Sequence, residues 1–327
     1  MMAVDTQPNR ADEPERGRLS HPDARVLGCA SSSAGGGIVP ATQAKRTLAH
    51  SETATPASKP AVPQSHSLMP LLGEKHLRRA LRQCGRRSSS AGADGMTWAD
   101  LRRQAGEVLP GLAAQLVAGT WRPGPLRELV IPTYTGKSMP TAIPTVVDRL
   151  VHRAARNAVE PVLEARAFAD WVSGYRPRRN RNTALRQASE LLSGGYRCVA
   201  DLDAAKVSEG VAVDEAVGWF AEYVYDGTFL RLLRTMLGGL PSPVVPGSGL
   251  APLLINLRLS QVDRRLTGLR VVRFADNYCA FTETVSDAEE TAWYISDAMA
   301  AVRLEPNAAK SRIRRKANAE DLFLIDG

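Results

Sequence analysis

Cys198-Val199-Ala200-Asp201-Leu202-Asp203 is a short apolar run that ends in acidic residues, and Val271-Val272-Arg273-Phe274-Ala275-Asp276-Asn277 is a second such run further along the chain. The first predicts a buried strand over 196–202. The second predicts the entry strand of a β-hairpin whose return strand is Tyr278–Thr282. A carboxylate that ends a buried strand can meet one at a hairpin tip, although either alone is usually a solvated turn residue.

Two carboxylates from separate segments suit one kind of chemistry in particular. Nucleotide transfer uses them to hold two Mg²⁺ ions, roughly 4 Å apart, that bind the attacking 3′-oxygen and the triphosphate. Mg²⁺ prefers oxygen ligands, usually one or two carboxylates together with substrate phosphates. The acidic site Asp201-Leu202-Asp203 and the hairpin tip with Asp276 are therefore candidate metal sites.

The remaining pattern alternates helical and extended segments. Order is expected to begin near Leu71, and helical apolar spacing appears first at 77–81. It recurs around 101–116, 145–165, 184–192, 213–225, 228–237, 250–266 and 286–301. Residues 126–132 predict a further strand, followed by a turn at 134–137. Short strands interleaved with amphipathic helices indicate an α+β protein.

Composition narrows the class of protein. The 327 residues are 44% hydrophobic and carry a formal net charge of +8, which suits either a phosphate-rich partner or a basic protein that binds no nucleic acid. The four cysteines form no C-x-x-C pair, so neither a zinc site nor a disulfide framework is indicated, and a cytoplasmic protein fits best. No apolar run reaches the ~18 residues of a membrane span. The acidic, polar start is unlike a signal peptide.

Residues 1–68 are rich in Ala, Ser, Pro, Gly and Thr and contain few large apolar side chains. Such a segment cannot bury enough surface to offset its conformational entropy. We expect a disordered tail here, and a misassigned translation start would explain the segment equally well.

A series of short motifs runs through the remainder of the chain. They are Gly92–Thr97, Gly119–Pro123, Ile131-Pro132 with Gly136-Lys137, Ala142–Thr145, Asp148–Val151 with Glu160-Pro161, Gly174–Arg179 with Ala184-Leu185, Asp201–Asp203, Gly247–Leu254 with Asn256, Phe274–Asn277, Leu304–Asn307 with Lys310-Ser311, and Phe323-Leu324. In this order they resemble the motifs of the group II intron-type (bacterial) reverse transcriptases. The resemblance covers the chain from about Leu77 to Gly327.

The resemblance implies the fingers and palm of a right-hand polymerase, with fingers over 69–195 and palm over 196–327, and without a complete thumb, maturase or endonuclease domain. It implies RNA-directed DNA polymerase activity that uses Mg²⁺, or Mn²⁺ in its place. The implied partners are an RNA template, a nucleic-acid primer and nucleoside triphosphates. A partner protein or RNA would have to replace the thumb.

The resemblance also assigns roles position by position. Asp203 and Asp276 correspond to the catalytic, metal-binding pair, and Asn277 follows them in the catalytic hairpin. The nucleotide-binding positions correspond to Lys137, Arg149, Ser208 and Lys310. The template-binding positions correspond to Arg176, Arg178 and Arg179. Without the resemblance, Lys137 and Lys310 are ordinary solvated charges, and structural ion pairs account equally well for Arg149 and Arg176.

Several site positions depart from the family pattern. Asn277 stands where the family has a second Asp, Val207 and Ser208 replace an aromatic pair that crowds the sugar 2′-position, Met139 replaces a basic residue, and Pro246 replaces a Gln. Loss of several transition-state contacts lowers a catalytic rate by orders of magnitude. A small Ser208 is expected to admit a ribonucleotide 2′-hydroxyl.

Three functions remain open on the sequence. The retained Asp203 and Asp276 favour an active template-dependent polymerase, as in standalone bacterial reverse transcriptases linked to antiviral defence. The residues Asn277, Val207 and Met139 favour a nucleic-acid-binding protein that no longer synthesises. The tail and the abrupt end favour a decayed mobile-element reading frame. Metal-dependent primer extension would support the first function. Nucleic-acid binding without synthesis would support the second, and failure to fold would support the third.

Overall fold

A computed structural model describes residues 67–84, 90–132 and 138–324, with only the backbone of Met139. Most of the predicted tail and the turn at 134–137 lie outside these residues. The helices are α1 (Glu74–Gln83), α2 (Trp98–Arg103), α3 (Ala105–Ala118), α4 (Val146–Arg166), α5 (Arg181–Ser193), α6 (Val213–Ala221), α7 (Gly227–Gly238), α8 (Ala251–Asp263) and α9 (Val285–Ala300). The strands are β1 (Arg127–Pro132), β2 (Ser138–Ile143), β3 (Cys198–Ala205), β4 (Val271–Phe274), β5 (Asn277–Thr282), β6 (Glu305–Pro306) and β7 (Arg312–Arg314).

The predicted α+β class is confirmed, and most elements lie within a few residues of their predicted positions. One predicted helix is wrong in detail, because the segment around 101–116 is two helices. Thr97 caps the first through a capping box with Asp100, and Gln104 leaves helical geometry between them. Gly119 ends the second in the left-handed region at φ 70°, a conformation that favours glycine.

Two antiparallel sheets organise the described strands. β1 and β2 form an isolated ribbon, paired from Arg127↔Ile143 to Pro132↔Ser138. The larger sheet has the order β4-β5-β3-β6, and β7 also pairs with β3. β3 is thus central, and both runs quoted at the outset belong to this sheet, with β5 between β3 and β4.

The two faces of the larger sheet pack against different helices. Ala200, Leu202 and Ala204 of β3 contribute to a core that includes residues of α8 and α9. Val199, on the opposite face, joins a core with Ala184 of α5. Because side chains alternate along a strand, Asp201 and Asp203 share the face of Val199.

A third core joins α1, α3 and α4 to α6, α7 and α8. It therefore draws on both segments predicted as fingers and palm, and the boundary at 195 remains a prediction. Within the described residues, no helix is both long and apolar enough to cross a bilayer.

Asp226 holds two parts of this third core together. Its Oδ1 accepts hydrogen bonds from the amides of Thr228 (3.1 Å) and Phe229 (3.0 Å) at the start of α7, and its Oδ2 accepts from Leu68 (2.7 Å). Asp226→Ala would leave these buried donors unpaired, so we expect the free energy of unfolding to fall by ~1–3 kcal/mol. Urea unfolding measures this loss. Asp226→Asn, which keeps one acceptor, should lose less, and equal losses would contradict the capping role.

Candidate active site

Asp203 lies near the end of β3, where two neighbouring segments enclose it. β5 pairs with β3 so that Asn277 faces Asp203, and β6 pairs with the two residues after Asp203. The carbonyl of Asp203 accepts a hydrogen bond from the Asn307 amide (2.7 Å), and its amide donates to Ser311 Oγ (3.3 Å). The backbone of Asp203 is therefore held on both sides.

Asp276 occupies the two-residue turn between β4 and β5. Phe274 pairs with Asn277, which leaves Ala275 and Asp276 at the tip. The carbonyl of Asp276 accepts a hydrogen bond from the amide of Ala204 (2.9 Å), the residue after Asp203. The hairpin tip is thus fastened to the end of β3, and the two aspartates come to the same place.

Lys310 links the two carboxylates electrostatically. Its Nζ lies 3.8 Å from Asp203 Oδ2, and its side chain is 48% exposed, whereas that of Asp203 is 15% exposed. Burial raises the pKa of Asp276 above its usual value, and the charges of Lys310 and Arg273 act in the opposite direction. An ammonium group in this position can meet a phosphate that approaches from solvent.

The donor set fits a hard divalent cation. Among the described residues, the Asp276 carboxylate has no hydrogen-bond donor apart from its own backbone amide, and a bound cation would offset the penalty of its burial. Within the described segments, no group of three or more His, Cys, Asp and Glu side chains is arranged to hold a metal ion by itself. Two carboxylates suit Mg²⁺, since that ion completes its shell with water and substrate phosphates.

Asp201 has a different environment from Asp203, although both lie on the same face of β3. Arg314 Nε of β7 lies 2.8 Å from its Oδ2, and the more exposed Arg312 lies at 3.7 Å. Asn277 Nδ2 donates to Asp201 Oδ1 (3.0 Å), and the thiol of Cys279 donates to Asn277 Oδ1 (3.4 Å). The amide of Asn277 is therefore engaged within the sheet, with Asp201 as its partner.

The chain turns sharply after β3. Val207 is buried in the core below the sheet, and Ser208 is partly exposed. Arg258 of α8 fixes this turn by donating to the carbonyls of Val207 and Glu209, both at 2.9 Å. A cleft of about 420 Å³ lies beside it, lined by Ala205, Lys206, Glu209, Gly210, Arg258, Arg303, Leu304 and Glu305.

Arg176, to which the resemblance assigned template binding, has internal partners that support the structural alternative, and template binding stays a prediction. Its side chain is only 3% exposed and forms an ion pair with Glu164 (2.9 Å). It also donates to the carbonyls of Ala169 (2.6 Å) and Val172 (2.9 Å). Because its N–H groups donate to these internal partners, the residue holds the loop that follows α4 in place.

Arg149 has internal contacts as well. Its guanidinium lies 4.9 Å from the centre of the Trp98 ring and donates to the Ser90 carbonyl (3.0 Å). These contacts support a structural role, and nucleotide contact stays a prediction. Arg178 is exposed, Arg179 pairs with Asp170, and Lys137 lies outside the described residues.

Sequence reasoning gave no role to several residues that shape the site. Asn307 and Ser311 belong to a motif that was recognised, but their bonds to Asp203 join segments far apart in the chain. The polar–apolar–polar alternation of Arg312, Ile313 and Arg314 could have indicated the strand β7. No local pattern indicated that these arginines would face Asp201.

Residues 131–320, more than half of the chain, match the profile of a family described as reverse transcriptase (RNA-dependent DNA polymerase). The chain belongs to the reverse transcriptase family. The matched region includes Asp203, Asp276, Asn277 and Lys310, so the site described above lies within the family's domain.

A relative of this reverse transcriptase chain is Protein YkfC of Escherichia coli (strain K12). The two are 30% identical over 189 residues, which is 54% of this chain and 49% of YkfC. The chain thus spans about half the length of this curated relative.

Two solved assemblies contain chains similar to this reverse transcriptase. A chain of a partial Cas6-RT-Cas1--Cas2 complex is 18% identical, with a TM-score of 0.40, and the match covers 73% of this chain and 42% of that one. A chain of the Cas6-RT-Cas1--Cas2 complex is also 18% identical, with a TM-score of 0.40. That match covers 73% of this chain and 26% of the chain in the complex.

Proposed function

We propose that this chain is a template-dependent nucleotidyl transferase, an RNA-directed DNA polymerase of the group II intron type. Asp203 and Asp276 form its catalytic pair. One contact carries the proposal: the hydrogen bond from Ala204 to the Asp276 carbonyl, which brings the hairpin tip to the end of β3. The substrates would be an RNA template, a nucleic-acid primer and nucleoside triphosphates.

Asp203 and Asp276 are the residues that would hold Mg²⁺, or Mn²⁺ in its place. The divalent ions supply activation of the attacking 3′-hydroxyl and neutralisation of phosphate charge. Lys310, half-exposed beside Asp203, would bind the triphosphate and stabilise negative charge on the leaving pyrophosphate. The buried Arg258 would keep the 206–209 turn in place beside the nucleotide.

Primer extension tests this function. The purified chain is incubated with a primed RNA template, Mg²⁺ or Mn²⁺, and labelled dNTPs or NTPs, beside the double variant Asp203→Ala/Asp276→Ala. Extension by the wild type that the double variant lacks supports the proposal. If neither protein extends the primer while both bind it, catalysis by this pair is contradicted.

A second candidate is a nucleic-acid-binding protein without synthesis. The observation in its favour is the side chain of Asn277, whose amide is engaged by Asp201 and Cys279. Template binding that is unaffected by metal and by the double variant would support this function.

The partly exposed Ser208 leads us to propose that ribonucleotides are accepted. Discrimination against a 2′-hydroxyl depends on steric crowding, so we expect CTP and dCTP to be incorporated with similar efficiency, within ~10-fold. Ser208→Phe should raise the preference for dCTP by ~10–100-fold, measured as a ratio of kcat/KM values. Ser208→Ala is the control and should not change the ratio. Strong rejection of CTP by the wild type would contradict the idea.

A further inference from the structure

A buried arginine lies behind the hairpin tip that carries Asp276. Arg273 of β4 is 0% exposed and is the largest fully buried side chain of the described residues. A guanidinium removed from water needs partners for its donors, because an unpaired buried charge strongly destabilises a fold. The partners of Arg273 therefore indicate which part of the structure it holds.

The guanidinium of Arg273 joins α8 to the turn. Its Nε and Nη2 donate to the two carboxylate oxygens of Asp263, at 3.0 and 2.6 Å. Its Nη1 donates to Asn256 Oδ1 (3.1 Å) and to the carbonyl of Ala275 (2.7 Å). The carbonyl of the residue before Asp276 is thus bonded to a side chain anchored on a helix.

Asn256 extends this network to the other side of the turn. Its Nδ2 donates to the carbonyl of Gly174 (2.8 Å). Gly174 lies so close to the turn that an added Cβ would be 2.1 Å from the Ala275 nitrogen. Ala275 is therefore enclosed between Arg273, which binds its carbonyl, and Gly174, which Asn256 holds in place.

The turn needs such support because of its backbone conformation. Ala275 has φ 55°, in the left-handed region that residues with a Cβ disfavour. Surrounding contacts must maintain a conformation of this kind. Since Asp276 is the next residue, any relaxation of Ala275 would change the direction of its carboxylate.

We propose that Arg273, with Asn256 as its link to Gly174, is a positioning residue that directs the Asp276 carboxylate into the metal site. This inference rests on the proposed function. The planar fork of arginine contacts Asp263, Asn256 and Ala275 together, whereas a lysine would retain the charge but not this geometry. Misplacement of a reacting group by ~1 Å lowers rates by ~100-fold.

Binding of Mn²⁺ alone, followed by electron paramagnetic resonance, tests the inference without depending on activity. Arg273→Lys should bind Mn²⁺ at least ~10-fold more weakly than the wild type. In primer extension its kcat should fall ~100-fold while KM for dNTP stays within about threefold, because positioning acts on the chemical step. Asn256→Ala, which retains the Arg273–Asp263 pair, should show a smaller loss in the same direction and decides the matter if Arg273→Lys does not fold.

Asp226→Ala serves as the control for stability, since Asp226 caps α7 and contacts none of the network residues. It should lower the melting temperature but leave the affinity for Mn²⁺ and kcat within about twofold. If the Arg273 and Asn256 variants bind Mn²⁺ as the wild type does, the inference is wrong and the proposed function stands. If the wild type binds Mn²⁺ no better than Asp203→Ala/Asp276→Ala, the proposed function is wrong and the inference falls with it.

Discussion

Asp203→Asn should reduce primer extension by about 10³-fold or more, because an amide lacks the charge with which the proposed ligand would hold a divalent ion. The fold should tolerate the change. Asp203 forms an ion pair with the half-exposed Lys310 at 3.8 Å, and such pairs contribute at most ~1 kcal/mol. Asp203 Oδ1 also accepts a long hydrogen bond from Asn307 Nδ2 (3.4 Å), which the amide oxygen of an asparagine can still accept. A single-turnover extension assay combined with urea unfolding separates the two effects.

Asp276→Asn should lose activity to a similar extent without losing stability. Burial raises the pKa of the Asp276 carboxyl, which means that its charged form is less stable in the folded protein than in the unfolded chain. A neutral amide removes that penalty, so the free energy of unfolding should stay the same or rise. Loss of function with retained stability is typical of an active-site charge.

Asp201→Asn is the matched comparison on the same face of β3. Arg314 would lose a partner at 2.8 Å in a largely buried setting, so we expect stability to fall by ~1–3 kcal/mol. Extension should fall much less than for Asp203→Asn. If Asp201→Asn abolishes extension and Asp203→Asn does not, the catalytic aspartate of β3 is Asp201 and the assignment of Asp203 is wrong.

The positions of the two acidic runs could be predicted because they follow from local patterns. A buried strand has a continuous apolar sequence, and β3 matches the predicted run while extending to Ala205. The β4–β5 hairpin matches too, although its turn contains alanine at positive φ where glycine or asparagine is usual. The family motifs supplied the expectation that these elements lie together.

Partners of charged side chains could not be predicted in this way. Arg176 and Arg178 stand two residues apart in one motif, yet the first is buried against Glu164 and the second is exposed. That difference depends on how the loop packs against α4. The network around Arg273 likewise joins residues from three separate segments, and no local period encodes it.

Acid should destabilise the fold through His152, a residue of α4 that is 1% exposed. Burial lowers the pKa of His152 to about 4 from 6.5, and its Nδ1 has no hydrogen-bond partner among the described residues. The unfolded chain therefore binds a proton at a higher pH than the folded chain does. The contribution of His152 to the free energy of unfolding is fully present above pH 6.5. It is lost as the pH falls towards 4, by about 3 kcal/mol in total.

The comparison of wild type with His152→Leu isolates this effect. Burial also raises the pKa of Asp148 and Asp276, and these carboxyl groups add stability as the pH falls. The pH dependence of the wild-type unfolding free energy therefore combines this gain with the loss from His152. Both proteins share the carboxylates, and only the wild type has the histidine. The difference in unfolding free energy between them should therefore change by about 3 kcal/mol between pH 7 and 4. Parallel curves would mean that the His152 imidazole is solvated or hydrogen-bonded in solution, and α4 would then be less tightly packed than the structure requires.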